Sequence, residues 1–209
     1  MSPRRGSALS TPKKALLIVL SGPSGVGKDA LLKRLKEFRY PLEYITTITT
    51  RSRRAGERNH IDYHFMTPQK FQDMVKQKEL LEYANVYGNW YGVPKSPVNE
   101  ALSNGLDTII KVDIQGAVSI KKLVPQAVFI FIMPASMEEL GQRLKRRHTE
   151  SSFDLNVRMQ TAAEEIKQLS LFDYVVYNQQ GEIDRAVQDI MAIITAEKCR
   201  AVPREITLK

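Results

Sequence analysis

Residues 16–38 read LLIVLSGPSGVGKDALLKRLKEF, and this stretch decides the fold. Residues 15–20 form a short apolar run with β-branched members, Ile18 and Val19, as a buried strand requires. From Lys28 to Phe38 the apolar residues Leu31, Leu32, Leu35 and Phe38 fall on one helical stripe. Between strand and helix stand Gly22, Pro23, Ser24, Gly25, Val26 and Gly27, closed by Lys28. Strand, glycine-rich turn and helix N-terminus in direct succession are the context of a phosphate-binding loop. Glycines let backbone N–H groups converge on phosphate oxygens, and the helix N-terminus adds favourable partial charge. Lys28 then reaches the β and γ phosphates of a nucleotide, and the loop alone leaves GTPases, motor ATPases and small-molecule kinases open. The bland alternative, a glycine-rich turn with an exposed lysine, leaves that succession unexplained. At Asp29 a Ser or Thr hydroxyl normally ligates magnesium. Here a carboxylate stands instead, and it either binds Mg2+ itself or leaves the metal to other groups.

Working outward, strand-like runs recur at residues 44–48, 108–112, 127–132 and 174–177. Helical segments fall between them. Thr67-Pro68 opens one helix through Gln77, Ser96-Pro97 opens another, and Ser136 with Glu139 reads as a capping box for a helix to about Arg147. A further helix runs from Asp154 to Leu169, and a last one over 183–199 carries Ile183, Ala186, Val187, Ile190, Ile193 and Ile194 on one face. Alternating strands and helices predict an α/β fold with a parallel sheet core flanked by helices. The expected organisation is a basic tail (1–14), a core (15–45, 96–134 and 170–209), an insertion (46–95) and a helical lid (135–169).

Composition narrows the function. The chain of 209 residues is 43% hydrophobic and 26% charged, as a folded globular protein is. Its apolar runs fall short of the roughly 20 residues that cross a bilayer. One cysteine, Cys199, excludes an internal disulfide and fits a reducing cytoplasm. A formal charge of +8 favours an anionic partner, nucleic acid or a phosphorylated small molecule. No nucleic-acid recognition motif accompanies the charge, so no nucleic-acid partner is expected. His60 and His64 lack metal-ligand spacing with any cysteine.

Residues 47–57 are rich in hydroxyls and arginine, with Thr47, Arg51, Arg54 and Glu57, and Asp62-Tyr63-His64-Phe65 follows. A guanidinium fork pairs bidentately with phosphate oxygens and a tyrosine hydroxyl completes such a clamp. A basic surface loop would look similar in isolation. Together with Leu80-Leu81-Glu82-Tyr83-Ala84, Gly88-Asn89-Trp90-Tyr91-Gly92 and Asp113-Ile114-Gln115-Gly116, these motifs give the chain a sequence that resembles guanylate kinases over nearly everything after residue 14. The resemblance implies a GMP-binding insertion in which Arg51, Arg54, Tyr63 and Tyr91 hold the GMP phosphate, with Thr47 where the family has serine. It implies that Glu82 accepts hydrogen bonds from guanine N1–H and the 2-amino group, two adjacent donors that adenine lacks. Without it Glu82 would read as a surface helix residue. Asp113 matches one of the family's paired acids, while Lys111 replaces the other, and Val93 replaces a Ser or Thr that helps read the base. Lys111 and Asp29 have complementary charges and are expected to pair across the loop.

The same resemblance implies that Arg143, Arg147 and Arg158 are lid arginines that stabilise the charge spreading over the transferred phosphoryl group. Asn178 matches a residue near the adenine, and His148 stands where the family has glycine. The implied partners are ATP and GMP, with Mg2+, in a monomer or weak dimer that closes over its substrates to exclude water. Two rivals remain: a P-loop kinase for ribose bisphosphate, which the Gly-Lys-Asp loop also resembles, and a silent module binding a phosphopeptide through the same clamp.

Overall fold

The computed structural model describes residues 14–146 and 152–208. In chain order the elements are β1 (Leu17–Ser21), α1 (Lys28–Glu37), β2 (Glu43–Tyr44), β3 (Ile48–Thr49), β4 (His64–Phe65), α2 (Pro68–Lys76), β5 (Leu80–Val86) and β6 (Asn89–Pro94). They continue with α3 (Lys95–Ser103), β7 (Thr108–Lys111), α4 (Ile114–Leu123), β8 (Val128–Met133), α5 (Met137–Lys145), α6 (Ser152–Ile166), β9 (Tyr174–Tyr177) and α7 (Ile183–Lys198). The main sheet is parallel throughout, in the order β2-β7-β1-β8-β9. The expected α/β class is what the chain adopts.

All five residues of β1 are buried, because helices cover both faces of the sheet. Ile18 and Leu20 pack with Leu31 and Leu35 of α1 and Ile190 and Ile194 of α7. Leu17 and Val19 face the other way, onto Ile110, Ala117, Ile120 and Phe129. Each such side chain contributes about 1.5–3 kcal/mol relative to exposure. The strand after which the loop turns is thereby held from two sides. Its carboxyl end, between β7 and β8, is where the chain order reverses and where ligands bind in open parallel sheets.

The apolar run at 44–48 divides. Its first residues pair with β7 as β2, and its last starts β3 in a second sheet ordered β4-β3-β6-β5. Two-residue strands carry no periodicity, so the break was invisible in the sequence. Leu80–Ala84 lies on β5 and not on a helix, paired antiparallel with β6. Phe71, Tyr83 and Trp90 form an aromatic cluster on this second sheet, with Phe71 and Trp90 stacked at 5.9 Å.

Five helix boundaries are instructive. Thr67 caps α2 as expected, accepting from the Lys70 N–H. Helix α3 starts at Lys95, so Ser96 is not its cap, and Pro97 sits within the first turn, where the N–H groups have no intrahelical partner anyway. Ser136 accepts from the Glu139 N–H at 3.1 Å, but the Glu139 carboxylate turns to Arg143, leaving only half a capping box. Helix α6 ends at Ile166 and the expected extension becomes a separate 3-10 turn, Leu169–Leu171. Helix α4 had no counterpart in the sequence reading; Asp113 caps it, accepting from the Gly116 N–H at 2.8 Å.

Candidate active site

The loop after β1 enters α1 through Gly27, whose φ of 101° is left-handed. A Cβ there would strike the Asn178 side-chain amide. The Lys28 ammonium donates to the carbonyls of Gly22 and Pro23, at 3.2 Å for the latter. Burial brings its pKa down to about 8, against the upward pull of Glu165, Asp29 and Asp113. It is a cation held on its own loop's carbonyls until better acceptors arrive.

Asn178 at the end of β9, 4% exposed, lies against the loop, its amide donating to the Val26 carbonyl at 2.7 Å. Arg143 of α5 donates to the same carbonyl and to that of Asn178, both at 2.7 Å, and pairs with Glu139. Val26 is itself fully buried. These residues brace the loop from behind. Arg158 of α6 lies in front, 3.5 Å from Ser24 Oγ and with its guanidinium 4.9 Å from the Tyr87 ring centroid. Arg147 and His148 lie outside the described residues.

One cavity of about 210 Å³ joins this loop to the insertion. Gly22, Pro23, Ser24, Gly25, Gly27, Lys28 and Asp29 line one end. Thr47, Arg51, Arg54, Tyr63, Glu82, Tyr91, Lys111 and Asp113 are among the residues that line the rest. Arg51 pairs bidentately with Glu57, at 2.7 and 3.1 Å, and lies 5.4 Å from the Tyr63 ring centroid. Glu57 also accepts from the Arg54 N–H at 2.8 Å. It aims the two arginines and does not line the cavity. Tyr63 and Tyr91 meet edge to face, 6.1 Å between centroids. Two arginines and two phenols therefore converge on a space suited to a phosphate monoester.

Glu82 is 6% exposed, and its Oε2 has no hydrogen-bond partner in the protein. Burial, then the neighbouring Asp113, pushes its pKa up to about 8. A buried carboxyl oxygen left without a donor is a demand for a ligand that supplies one. Val93, opposite Glu82 in register, is fully buried in the main core, so packing is its task here.

Sequence reading missed two contributors. Gly116 packs so tightly on Glu82 that a Cβ would sit 2.7 Å from Oε2. Its place in Asp113-Ile114-Gln115-Gly116 was visible, its contact was not. If Glu82 reads guanine, as the sequence resemblance implies, Gly116→Ala should weaken GMP binding on the order of ten- to a hundredfold by displacing that carboxylate, and leave binding of an ATP analogue unchanged. Calorimetric titration with each nucleotide checks this. Glu165 of α6, the second, has a buried Oε2 with no protein partner; burial raises its pKa to about 7 while Lys28 pulls it down.

Lys111 and Asp29 form the expected ion pair. Asp29 therefore meets any metal with its charge already partly compensated. Among the described residues no group of three or more His, Cys, Asp or Glu is arranged to hold a metal ion, and His60 and His64 engage each other, 2.8 Å between ring nitrogens. No helix among them is long and apolar enough to cross a membrane.

The guanylate kinase family profile matches residues 14–197. The chain is 45% identical over 192 residues to the guanylate kinase of Caldanaerobacter subterraneus, covering 92% of each. It is 43% identical over 201 residues to guanylate kinase 2, chloroplastic/mitochondrial, of Oryza sativa, covering 96% of this chain and 70% of that one. The crystal structure of guanylate kinase from Anaplasma phagocytophilum superposes with a TM-score of 0.74 at 32% identity, covering 90% of this chain and 89% of the other.

Proposed function

The chain belongs to the guanylate kinase family and is an ATP:GMP phosphotransferase; from that premise we propose how its residues divide the reaction. ATP lies along the loop from Gly22 to Lys28, its β and γ phosphates taking the Lys28 ammonium from the Gly22 and Pro23 carbonyls. GMP lies in the insertion, guanine on Glu82 and phosphate between Arg51, Arg54, Tyr63 and Tyr91. The observation that carries this reading is the single cavity in which the loop, the phosphate clamp and an unsatisfied carboxyl meet.

An oxygen of the GMP phosphate dianion attacks the γ phosphorus. The new P–O bond forms as the bond to the β-bridging oxygen breaks, and the electron pair leaves on ADP. No proton need move. Catalysis rests on positioning and on charge: Lys28 and Arg158 face the phosphoryl group, while Arg143 and Asn178 act through the loop they brace. Arg147 completes the proposed lid arginines, and its contribution rests on the sequence resemblance alone. Magnesium fits this neighbourhood because Glu165 offers a buried carboxylate oxygen without a protein partner beside Lys28. Glu165 and Asp29 would hold it, and it would neutralise charge across the β and γ phosphates.

A coupled ADP-release assay with ATP, Mg2+ and GMP, AMP, UMP or a ribose phosphate in turn tests the assignment. Turnover should be GMP-dependent and low with the others. Turnover with a ribose phosphate alone, or GMP binding without turnover, would overturn it. The buried Glu82 has no task in a sugar-phosphate kinase, and the intact loop with Lys28 none in a silent module.

A further inference from the structure

Lys111 closes β7 in register with Leu20 of β1 and is 8% exposed. Its backbone carbonyl accepts from Thr47 Oγ1 at 3.1 Å, on the link into the insertion. Its ammonium pairs with Asp29, the second residue of α1, and lies 3.9 Å from the Tyr63 ring centroid. The Tyr63 hydroxyl in turn stands 3.5 Å from Asp29 Oδ1. One buried cation thus touches the ATP loop's helix and the wall of the phosphate clamp, and it lines the cavity that joins them. Of the ammonium's three donors, one engages Asp29 Oδ1 and another the Tyr63 hydroxyl.

We propose that Lys111 is a positioning residue for the acceptor: a fixed positive charge, anchored by Asp29, that holds Tyr63 and draws the GMP phosphate toward the donor. The inference rests on the phosphotransferase reading above. In a chain transferring phosphate between two polyanions, the ground-state repulsion is greatest between the attacking oxygen and the γ phosphate. A cation there opposes this repulsion without entering the chemistry.

Asp29 is the counter-ion that makes a buried cation tolerable in the empty enzyme. The two residues therefore need not have equal functional weight, and their substitution separates two explanations. If Lys111 exists only to neutralise Asp29, removing both charges restores function. If it acts on the acceptor, the acceptor defect survives.

The experiment compares Lys111→Met, Asp29→Ser and the double variant, in turnover and in calorimetric binding of GMP and of guanosine, which lacks the phosphate. Lys111→Met should raise the KM for GMP about tenfold or more and lower kcat, while guanosine binding stays within about twofold. The double variant leaves neither charge unpaired; it should keep the GMP defect, and it serves if Lys111→Met alone does not fold. Recovery of wild-type KM and kcat in the double variant would overturn the proposal. So would equal loss of GMP and guanosine binding, or an unchanged KM in Lys111→Met. Absence of GMP turnover in the unsubstituted protein would instead sink the phosphotransferase reading itself.

Discussion

Lys28→Met should lower kcat/KM by about 10³-fold in the ADP-release assay, with the fold intact by circular dichroism. Methionine keeps the length and the apolar stem, so packing around the loop survives. What goes is a side-chain cation at the base of the loop, among three carboxylates. Glu165, Asp29 and Asp113 all act on Lys28 in the folded protein. Without it they face the incoming phosphates with less compensation, so ATP affinity should fall together with kcat. A variant that kept kcat and lost only ATP affinity would show that Lys28 binds the ground state and the transition state equally.

Glu82→Gln should lower kcat/KM for GMP by about 10²- to 10³-fold and narrow the preference for GMP over AMP. The amide offers one acceptor and one donor where guanine presents two donors, so one contact becomes donor against donor. The same substitution should make the protein more stable at neutral pH. In the folded chain the Glu82 carboxyl titrates at about 8, above its ordinary value of 4.5. A raised carboxyl pKa means that the folded state holds the proton more tightly than the unfolded state. Its effect is therefore harmless below pH 4.5 and increasingly destabilising as pH climbs to about 8. At pH 7 the cost is on the order of 3 kcal/mol, which glutamine avoids. Thermal melts at pH 5, 7 and 8 should show the gap between variant and parent widening with pH.

Binding should report the same group. Guanine's donors require the ionised carboxylate, so GMP lowers the Glu82 pKa and releases a proton near pH 7. GMP affinity should rise with pH toward about 8 and then level. Titrations in buffers of different ionisation enthalpy count the proton, and Glu82→Gln should release none from this group.

The loop was legible because its requirements are local: a strand, left-handed backbone and an ammonium must follow one another within a few residues. Pairing of Asp29 with Lys111 was legible as complementary charge, although 82 positions separate them. Glu165 was not, since two adjacent glutamates on a polar helix read as a solvated face until α6 is laid against Ser24 and Lys28. Gly116 was not, because its meaning is the absence of an atom beside a carboxylate on another strand. Glu82 carried its role by resemblance, while its local setting was misread: a run of Leu, Leu, Glu, Tyr and Ala suits a helix in isolation. The antiparallel partner β6 settles it as strand. Helix α4 left a usable trace, an Asp cap followed by Ile114, Ala117 and Ile120 at helical spacing.

The aromatic cluster of Phe71, Tyr83 and Trp90 belongs to neither of the two main core clusters, whereas Leu81 and Val93, at the root of the same hairpin, pack into one of them. The insertion thus has a firmly rooted base and an outer half that supports itself. Hydrogen exchange should therefore find two cooperative units: amides around Tyr83 and Trp90 should open at lower free energy than those of β1 and β8, which should open only with the whole domain. If GMP sits on Glu82 and Tyr91 of this hairpin, as proposed, its occupancy should add protection there by mass action. The acceptor side of this enzyme should then be stabilised by its own substrate, and the slowed exchange of a few insertion amides should serve as a direct gauge of GMP bound.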